Sequence, residues 1–146
     1  PIQFSNLNNK ISVKEVSFDP VFKENIFFIY LGKKQNSRNG IQKYRSKKND
    51  ITNNIRNEFT NINRSILKTK DIKEFEKNLT KHEQLISNLV GLNTVKDELF
   101  NDYSKGAIKS LGAWGGDFIL ATGASCPTYF NEKGYTTVVP YAEMIA

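Results

Sequence analysis

Residues 26–31 form an unbroken apolar run, Ile-Phe-Phe-Ile-Tyr-Leu, that stops at Gly32. Such a run is typical of a strand covered on both faces, or of a central strand beneath helices. No apolar run in the chain approaches the roughly 18 residues that a membrane span needs. We therefore expect a sheet strand at 26–31 inside a folded domain, and no contact with a membrane.

Three amphipathic helices are predicted in succession after this strand. Residues 51–66 carry apolar side chains at spacings of three and four, and Asp50 can cap their start. A second helix is predicted to start from a capping-box pattern at Asp71 and to end at Gly91. A third repeats the start signal at Thr94 and is expected to run towards residue 103.

Strand patterns flank the helical middle of the chain. Residues 11–18 alternate between apolar and polar with one break, which predicts a strand with a bulge. Residues 107–111, 118–122 and 135–139 predict three more strands. Strands, then helices, then strands indicate an α+β fold: an antiparallel sheet of about four to five strands with three helices packed on one face.

The composition fits one folded domain. The chain has 146 residues, of which 38% are hydrophobic, and its single cysteine, Cys126, has no internal disulfide partner. Since the first residues lack the features of a secretory signal, we expect a cytoplasmic protein. The chain opens on Pro1 and its only methionine is Met144, so we treat 1–146 as a domain of a longer protein.

Positive charge is concentrated in residues 33–70, which contain eleven Lys and Arg and two acidic residues. Such a block can attract nucleic acid, an anionic surface or a phosphorylated small molecule. The plainer interpretation is a solvated helix face, and we favour it.

A glycine-rich turn is predicted between the strands at 107–111 and 118–122. Glycines let backbone N–H groups crowd a small volume and point at an anion, although such a turn is more often a tight hairpin. A Rossmann or Walker loop would be followed by a helix, whereas a strand follows here. The turn consists of Gly112, Ala113, Trp114, Gly115, Gly116 and Asp117.

Residues 109–121, Lys-Ser-Leu-Gly-Ala-Trp-Gly-Gly-Asp-Phe-Ile-Leu-Ala, resemble the third conserved motif of the GHMP kinases, which reads T-G-A-G-G-G-G-C before an apolar strand. Asp117 is similar to the phosphomevalonate kinase version of that motif. Trp114 in place of a glycine and Phe118 in place of the cysteine depart from it. The family includes galactokinase, homoserine kinase and mevalonate kinase.

The resemblance covers about two thirds of the chain and extends upstream of the turn. Residues 75–117 resemble the family's carboxy-terminal module, and residues 30–37 look like a strand-to-loop segment of phosphomevalonate kinases, without its Trp and Thr. The matched positions are Gly32, Ser37, Leu79, His82, Leu85 and Leu92.

The resemblance implies a ferredoxin-like carboxy-terminal domain of a two-domain kinase, with residues 1–20 at the junction. ATP and Mg²⁺ would be bound mainly by the amino-terminal domain, which also holds the family's catalytic residues, so none is assigned in this chain and no metal ligand either. The turn at 112–117 would contact the substrate and the phosphate-binding loop. Candidate contacts to the phosphate acceptor are Ser110, Lys33, Lys34, Ser37 and Arg38.

Mevalonate or phosphomevalonate is the favoured acceptor, with a sugar or homoserine as alternatives. Besides the acceptor, the expected partner is the protein's own amino-terminal domain, and a homodimer is possible. The other interpretations are a regulatory interaction module or an RNA-binding module that uses the basic 33–70 region and the aromatics of the strand at 26–31. Nucleic acid is the less favoured partner, because an unbroken apolar run suits burial better.

We expect ordinary structural roles for the single histidine and the single cysteine. His82 lies on an apolar stripe and is expected to be packed or hydrogen-bonded, and one His with one Cys makes no zinc ligand set. Cys126 lacks a histidine nearby in sequence, so we do not expect a nucleophile. Asp117 could bind Mg²⁺ or an acceptor hydroxyl, or could equally cap its turn.

Overall fold

The computed structural model describes residues 2–7, 10–32, 37–47, 51–112 and 117–145. Its strands are β1 (Ile2–Leu7), β2 (Lys10–Glu15), β3 (Ile26–Tyr30), β4 (Ile108–Ser110), β5 (Phe118–Thr122) and β6 (Val138–Pro140). Its helices are α1 (Ser37–Ser46), α2 (Asn53–Lys68), α3 (Ile72–Val90), α4 (Val95–Leu99), α5 (Cys126–Glu132) and α6 (Tyr141–Met144).

The main sheet has four strands in the order β4-β5-β3-β6, and every neighbouring pair is antiparallel. With α4 left aside, β3, α3, β4, β5, α5 and β6 follow the β-α-β-β-α-β order of a ferredoxin-like arrangement. The packing differs from that arrangement, which has both helices on one face, because α3 and α5 belong to apolar clusters on opposite faces of the sheet. The predicted α+β fold with an antiparallel sheet is confirmed.

Strand β3 is buried on both faces, as its apolar run predicts. Ile26 and Phe28 belong to a cluster with Phe75 and Leu79 of α3. The intervening residues of β3 face a second cluster, which contains Phe100 and other residues from 95–103 and from α5. The sheet therefore has an apolar layer on each side.

The predicted helices at 51–66 and 71–91 are confirmed as α2 and α3. Thr52 caps α2, its side chain accepting a hydrogen bond from the Ile55 amide at 3.3 Å, while Asp50 lies outside the described residues. Asp71 caps α3, and Gly91 ends it at a φ of 65°.

The third helix differs from its prediction. It starts at Thr94 as expected, but α4 ends at Leu99, and residues 100–103 continue into the second cluster. The free energy gained by burying Phe100 and Tyr103 against the opposite face of the sheet outweighs the free energy of extending the helix. The helical segments thus lie over both faces, not one. Helices α1, α5 and α6 are additions to the prediction.

Strands β1 and β2 form a separate two-stranded sheet. Their pairing is regular from Ile2 opposite Glu15 to Leu7 opposite Lys10, so the predicted bulge is wrong. The break in alternation after Val13 marks the end of the strand instead: Phe18 lies beyond it and packs against the first cluster. None of the described helices combines the length and apolar composition needed to cross a bilayer.

Gly106 is required by a close approach of two backbones. A Cβ atom at this position would lie 2.0 Å from the Thr122 carbonyl oxygen, and backbone cannot give way as a flexible side chain does. We expect Gly106→Ala to lower the free energy of unfolding by about 2 to 4 kcal/mol in urea titrations. Gly91→Ala is the control: open space surrounds that position, so only its positive φ opposes alanine, at about 1 kcal/mol. Equal losses would contradict the close packing at Gly106.

Candidate functional site

The glycine-rich turn lies at one end of the β4–β5 hairpin. Ser110 pairs with Ile119, and the Leu111 amide donates a hydrogen bond to the Phe118 carbonyl at 3.3 Å. Pairing thus continues to the last residue before Gly112, which is exposed with a φ of 70°. The hairpin itself fixes where the turn begins and ends.

The end of β3 lies beside this turn. The Leu31 amide, at the end of β3, donates a hydrogen bond of 2.8 Å to the Asp117 carbonyl. Gly32 follows at once, exposed and with a φ of 71°. The described ends of two segments far apart in sequence, both predicted to contact the acceptor, therefore lie side by side at the same end of the sheet.

The structure describes some of the predicted site residues and not others. Gly112, Asp117 and Gly32 lie at this end of the sheet, and Ser37 and Arg38 begin α1. Six of the predicted contacts lie outside the described residues: Lys33, Lys34, Ala113, Trp114, Gly115 and Gly116.

Ser110 is buried and engaged by a carboxylate of α3. Its hydroxyl donates to Glu83 Oε1 at 2.6 Å, and its amide donates to the same oxygen at 3.0 Å. Lys109 Nζ lies 3.4 Å from the other oxygen, Oε2, and donates to the Ser110 carbonyl at 3.2 Å. The side chain of Ser110 is thus held in a buried network with Glu83 and Lys109, which we call the latch. The acceptor contact predicted for Ser110 would require the hydrogen bonds of this latch to break.

Lys109 is the charged partner in this latch. Burial lowers the pKa of its ammonium, while the neighbouring Glu83 carboxylate opposes that shift. Glu83 is 2% exposed, and a carboxylate so deeply buried needs both its charge partner and its hydrogen bonds to offset desolvation. The latch supplies both.

A second carboxylate of α3 engages the far end of β5. Glu76 Oε1 accepts a hydrogen bond of 2.8 Å from the Thr122 hydroxyl, which in turn accepts one of 2.9 Å from the Ala107 amide. Glu76 and Glu83 are seven residues apart, two helical turns, and so lie on one face of α3. Together they fasten both ends of the β4–β5 hairpin to the helix.

His82 is packed, as expected for its place on the apolar stripe. Its ring meets Phe59 edge-on at 5.1 Å, and its buried Nδ1 has no hydrogen-bond partner among the described residues. Burial, with the nearby Lys109 charge, lowers its pKa to about 4. The ring is therefore neutral at physiological pH.

Cys126 is fully buried beneath Tyr103. Burial raises the pKa of its thiol to about 12, so the thiol stays protonated near neutral pH. Among residues that the structure describes, no cluster of three or more His, Cys, Asp or Glu could hold a metal ion.

Two open grooves of about 590 and 380 Å³ lie along α2, away from the residues of the turn. Asparagines such as Asn57 and Asn61 line the larger groove, and the Lys81–Glu58 ion pair of 2.7 Å bounds it. Size alone does not make either groove a better candidate site than the turn, because neither groove brings together the residues that the sequence singles out.

Glu76 and Glu83 were missed by sequence reasoning. Their signal was present: two acidic residues seven apart, beside the apolar stripe of α3 that includes Phe75 and Leu79. Charged residues beside a stripe are usually solvated, so the pattern alone did not distinguish buried carboxylates from exposed ones.

Comparison with known proteins yields a fold relationship. No family model matches this sequence, and no curated protein matches it. A crystal structure of the Lin0012 protein from Listeria innocua is similar over 89% of this chain, with a TM-score of 0.62 and 17% sequence identity. The chain spans 41% of the length of that protein. At this identity the likeness shows the fold alone.

Removing the Glu83 carboxylate should destabilise the folded domain. We expect Glu83→Leu to lower the free energy of unfolding by about 3 to 5 kcal/mol in urea titrations, because Lys109 and the Ser110 donors lose their partner in a buried place. The control is Glu58→Gln, which breaks the exposed pair with Lys81 and should cost below about 1 kcal/mol. Similar losses in both variants would show that the latch contributes little.

Burial of neutral His82 should make stability depend on pH. Because its pKa falls from 6.5 to about 4 on folding, the unfolded chain binds more protons between these values. The His82 contribution is therefore complete above pH 6.5 and is lost as pH falls towards 4. We expect the difference in unfolding free energy between wild type and His82→Leu to change by about 1 to 2 kcal/mol across this window, allowing for solvent screening. A difference independent of pH would contradict the burial of a neutral ring.

Proposed function

We propose that this chain is the substrate-side domain of an ATP-dependent GHMP-type small-molecule kinase. The observation that carries the proposal is the hydrogen bond between the Leu31 amide and the Asp117 carbonyl. It joins two segments that were matched to that family separately. A chance resemblance at two distant segments would not require them to meet.

The two segments suggest complementary tasks. Backbone N–H groups of the turn at 112–117 would face the anionic groups of the acceptor, since glycines allow close approach. Lys33, Lys34 and Arg38 would neutralise a carboxylate or phosphate of that acceptor, with Arg38 able to bind it through two parallel hydrogen bonds. This chain would thereby hold the acceptor hydroxyl or phosphate in line with the transferred phosphoryl group.

The phosphoryl donor, ATP with Mg²⁺, would be bound mainly by a nucleotide-binding domain outside residues 1–146. The catalytic residues of the reaction would belong to that domain as well. Residues 1–146 alone should therefore bind acceptor weakly and transfer no phosphoryl group.

Rigidity of the turn's base supports this assignment. Ser110, two residues before Gly112, is held by Glu83 through two hydrogen bonds, and Asp117 is held through its carbonyl by Leu31. Groups that position a substrate must be fixed to within a fraction of an ångström, and fixed strand ends provide that. The favoured acceptor is mevalonate or phosphomevalonate, and the proposed location is the cytoplasm.

An RNA-binding module receives less support. Base stacking would need the aromatics of β3, yet Phe27 and Phe28 are each 8% exposed beneath the two apolar layers. Of the three aromatics in this strand, Tyr30 alone remains substantially accessible, at 38%. The basic side chains of α2 could still attract polyanions, but without a stacking surface.

Asp117 offers a direct test in the polypeptide that includes the nucleotide-binding domain. We expect Asp117→Asn to lower kcat/KM for the acceptor by about 10- to 100-fold in a coupled ADP-release assay, with the KM for ATP unchanged, because the change removes the carboxylate charge proposed to meet the acceptor, while ATP would be bound by the other domain. Glu132→Gln, an exposed acid at the end of α5, is the control and should have no effect.

Two outcomes would overturn the proposed function. One is an upstream coding region that lacks a phosphate-binding G-L-G-S-S type loop. The other is tight, strongly salt-sensitive retention of mixed RNA on filters, with no thermal shift by ATP and phosphorylatable acceptors. That second result would favour the nucleic-acid interpretation.

A further inference from the structure

The main sheet ends in a row of three apolar side chains on the side that carries the glycine-rich turn. Tyr30 of β3 pairs directly with Phe118 of β5. Leu111, just after β4, lies opposite Phe118, since its amide donates a hydrogen bond of 3.3 Å to the Phe118 carbonyl. Directly opposite residues of an antiparallel sheet share a face, so Leu111, Phe118 and Tyr30 form one row. We call it the terminal row.

The terminal row is partly exposed. Tyr30 is 38% exposed, whereas Phe28, two residues earlier on the same strand and face, is 8% exposed. Leu111 and Phe118 are half-buried, and both pack against the first cluster. The row is thus supported by the core of the domain and still accessible to a ligand.

The position of Tyr30 in the row is fixed on both sides of its strand. The Tyr30 amide donates a hydrogen bond of 3.0 Å to the Thr137 carbonyl, and the next amide, that of Leu31, donates one to Asp117. The rings of Tyr30 and Phe118 contact each other, with centroids 5.2 Å apart and planes tilted by 42°. A surface that is already formed loses little conformational entropy when a ligand covers it.

The terminal row adjoins the turn in sequence and in space. Phe118 directly follows Asp117, and Leu111 directly precedes Gly112. Consecutive Cα atoms are about 3.8 Å apart, so a small acceptor held at the turn would have the row within reach of its carbon skeleton. Sequence reasoning did not predict any residue of the row as an acceptor contact.

The chemistry of the row distinguishes between acceptors. Its surface is hydrocarbon, and the Tyr30 hydroxyl is its one polar side-chain group. A sugar lying along it would lose hydrogen bonds to water that these side chains cannot replace. The tilt between the two rings also leaves no single flat platform for a sugar ring. A compact apolar branch loses no hydrogen bond there, and burying one methyl group changes kcat/KM by about tenfold.

We propose that Tyr30, Phe118 and Leu111 are specificity-determining residues that bind a compact apolar branch of an anionic acceptor. The substrate class is then a short hydroxy acid with a methyl-bearing carbon, free or phosphorylated, rather than a sugar or an unbranched hydroxy amino acid. The inference rests on the proposed function, which places the acceptor at this end of the sheet.

The test compares two acceptors that differ by one methyl group: mevalonate and the same dihydroxy acid without its methyl group. The polypeptide that includes the nucleotide-binding domain is assayed by coupled ADP release. The ratio of the two kcat/KM values, methylated over unmethylated, is the methyl preference. Because both values come from one preparation, the ratio does not depend on the folded fraction. A merely structural role of Tyr30 would lower both values equally and leave the ratio unchanged.

We expect a methyl preference of about tenfold in the wild type and of about threefold or less in Tyr30→Ala. Tyr30→Phe keeps the aromatic ring and should keep the preference. The control is Tyr44→Ala, which removes a tyrosine of similar exposure, 44%, near the end of α1. This control should also keep the wild-type preference.

A second measurement does not need phosphoryl transfer. Residues 1–146 are titrated with each acid at millimolar concentration while the NMR signals of the aromatic rings are followed. We expect the signals of Tyr30 and Phe118 to shift more with the methylated acid than with the unmethylated one. The Tyr44 ring signal should not distinguish between the two acids.

The possible outcomes separate this inference from the proposed function. A methyl preference that Tyr30→Ala leaves unchanged would overturn the inference and keep the kinase. Larger ring shifts with the methylated acid, with no transfer to any acceptor, would overturn the kinase and keep the binding surface. Equal ring shifts with both acids, or a sugar phosphorylated in preference to either, would overturn the substrate class. The absence of both transfer and ring shifts would overturn both proposals.

Discussion

Two buried carboxylates of α3 fasten the helix to the sheet. Glu76 bonds to the Thr122 hydroxyl at the end of β5, and Glu83 bonds to Ser110 in β4. Apolar packing by itself tolerates sliding, whereas a buried charge must find its partners or cost several kcal/mol. These contacts therefore fix the β4–β5 hairpin in one position on α3, and the glycine-rich turn takes its place from that hairpin.

The arrangement at the end of the sheet that carries the glycine-rich turn follows from this constraint. Once β4 and β5 are fixed, β5 pairs with β3, and the Leu31 amide meets the Asp117 carbonyl. Gly32 and the two ends of the turn, Gly112 and Asp117, then lie at one end of the sheet. The proposed acceptor site needs rigid strand ends, and antiparallel pairing provides them.

Prediction from sequence succeeded where the signal was local. The unbroken run at 26–31, the cap at Asp71 and the stop at Gly91 each depend on neighbouring residues, and each was confirmed. Prediction failed where contacts between residues far apart in the chain determine the structure. Helix α4 stops at Leu99 because Phe100 is buried on the opposite face of the sheet, and no local feature announces that face.

The sequence by itself determined the α+β class, the two long helices and the position of a glycine-rich turn between two strands, because these depend on periodicity, capping and glycine geometry. Only the tertiary structure decided that Glu83 is buried, that both sheet faces are covered, and that Asp117 lies beside Leu31. Those facts depend on pairing between residues far apart in the chain, and a pattern of apolar and polar residues is compatible with many such pairings until packing selects one.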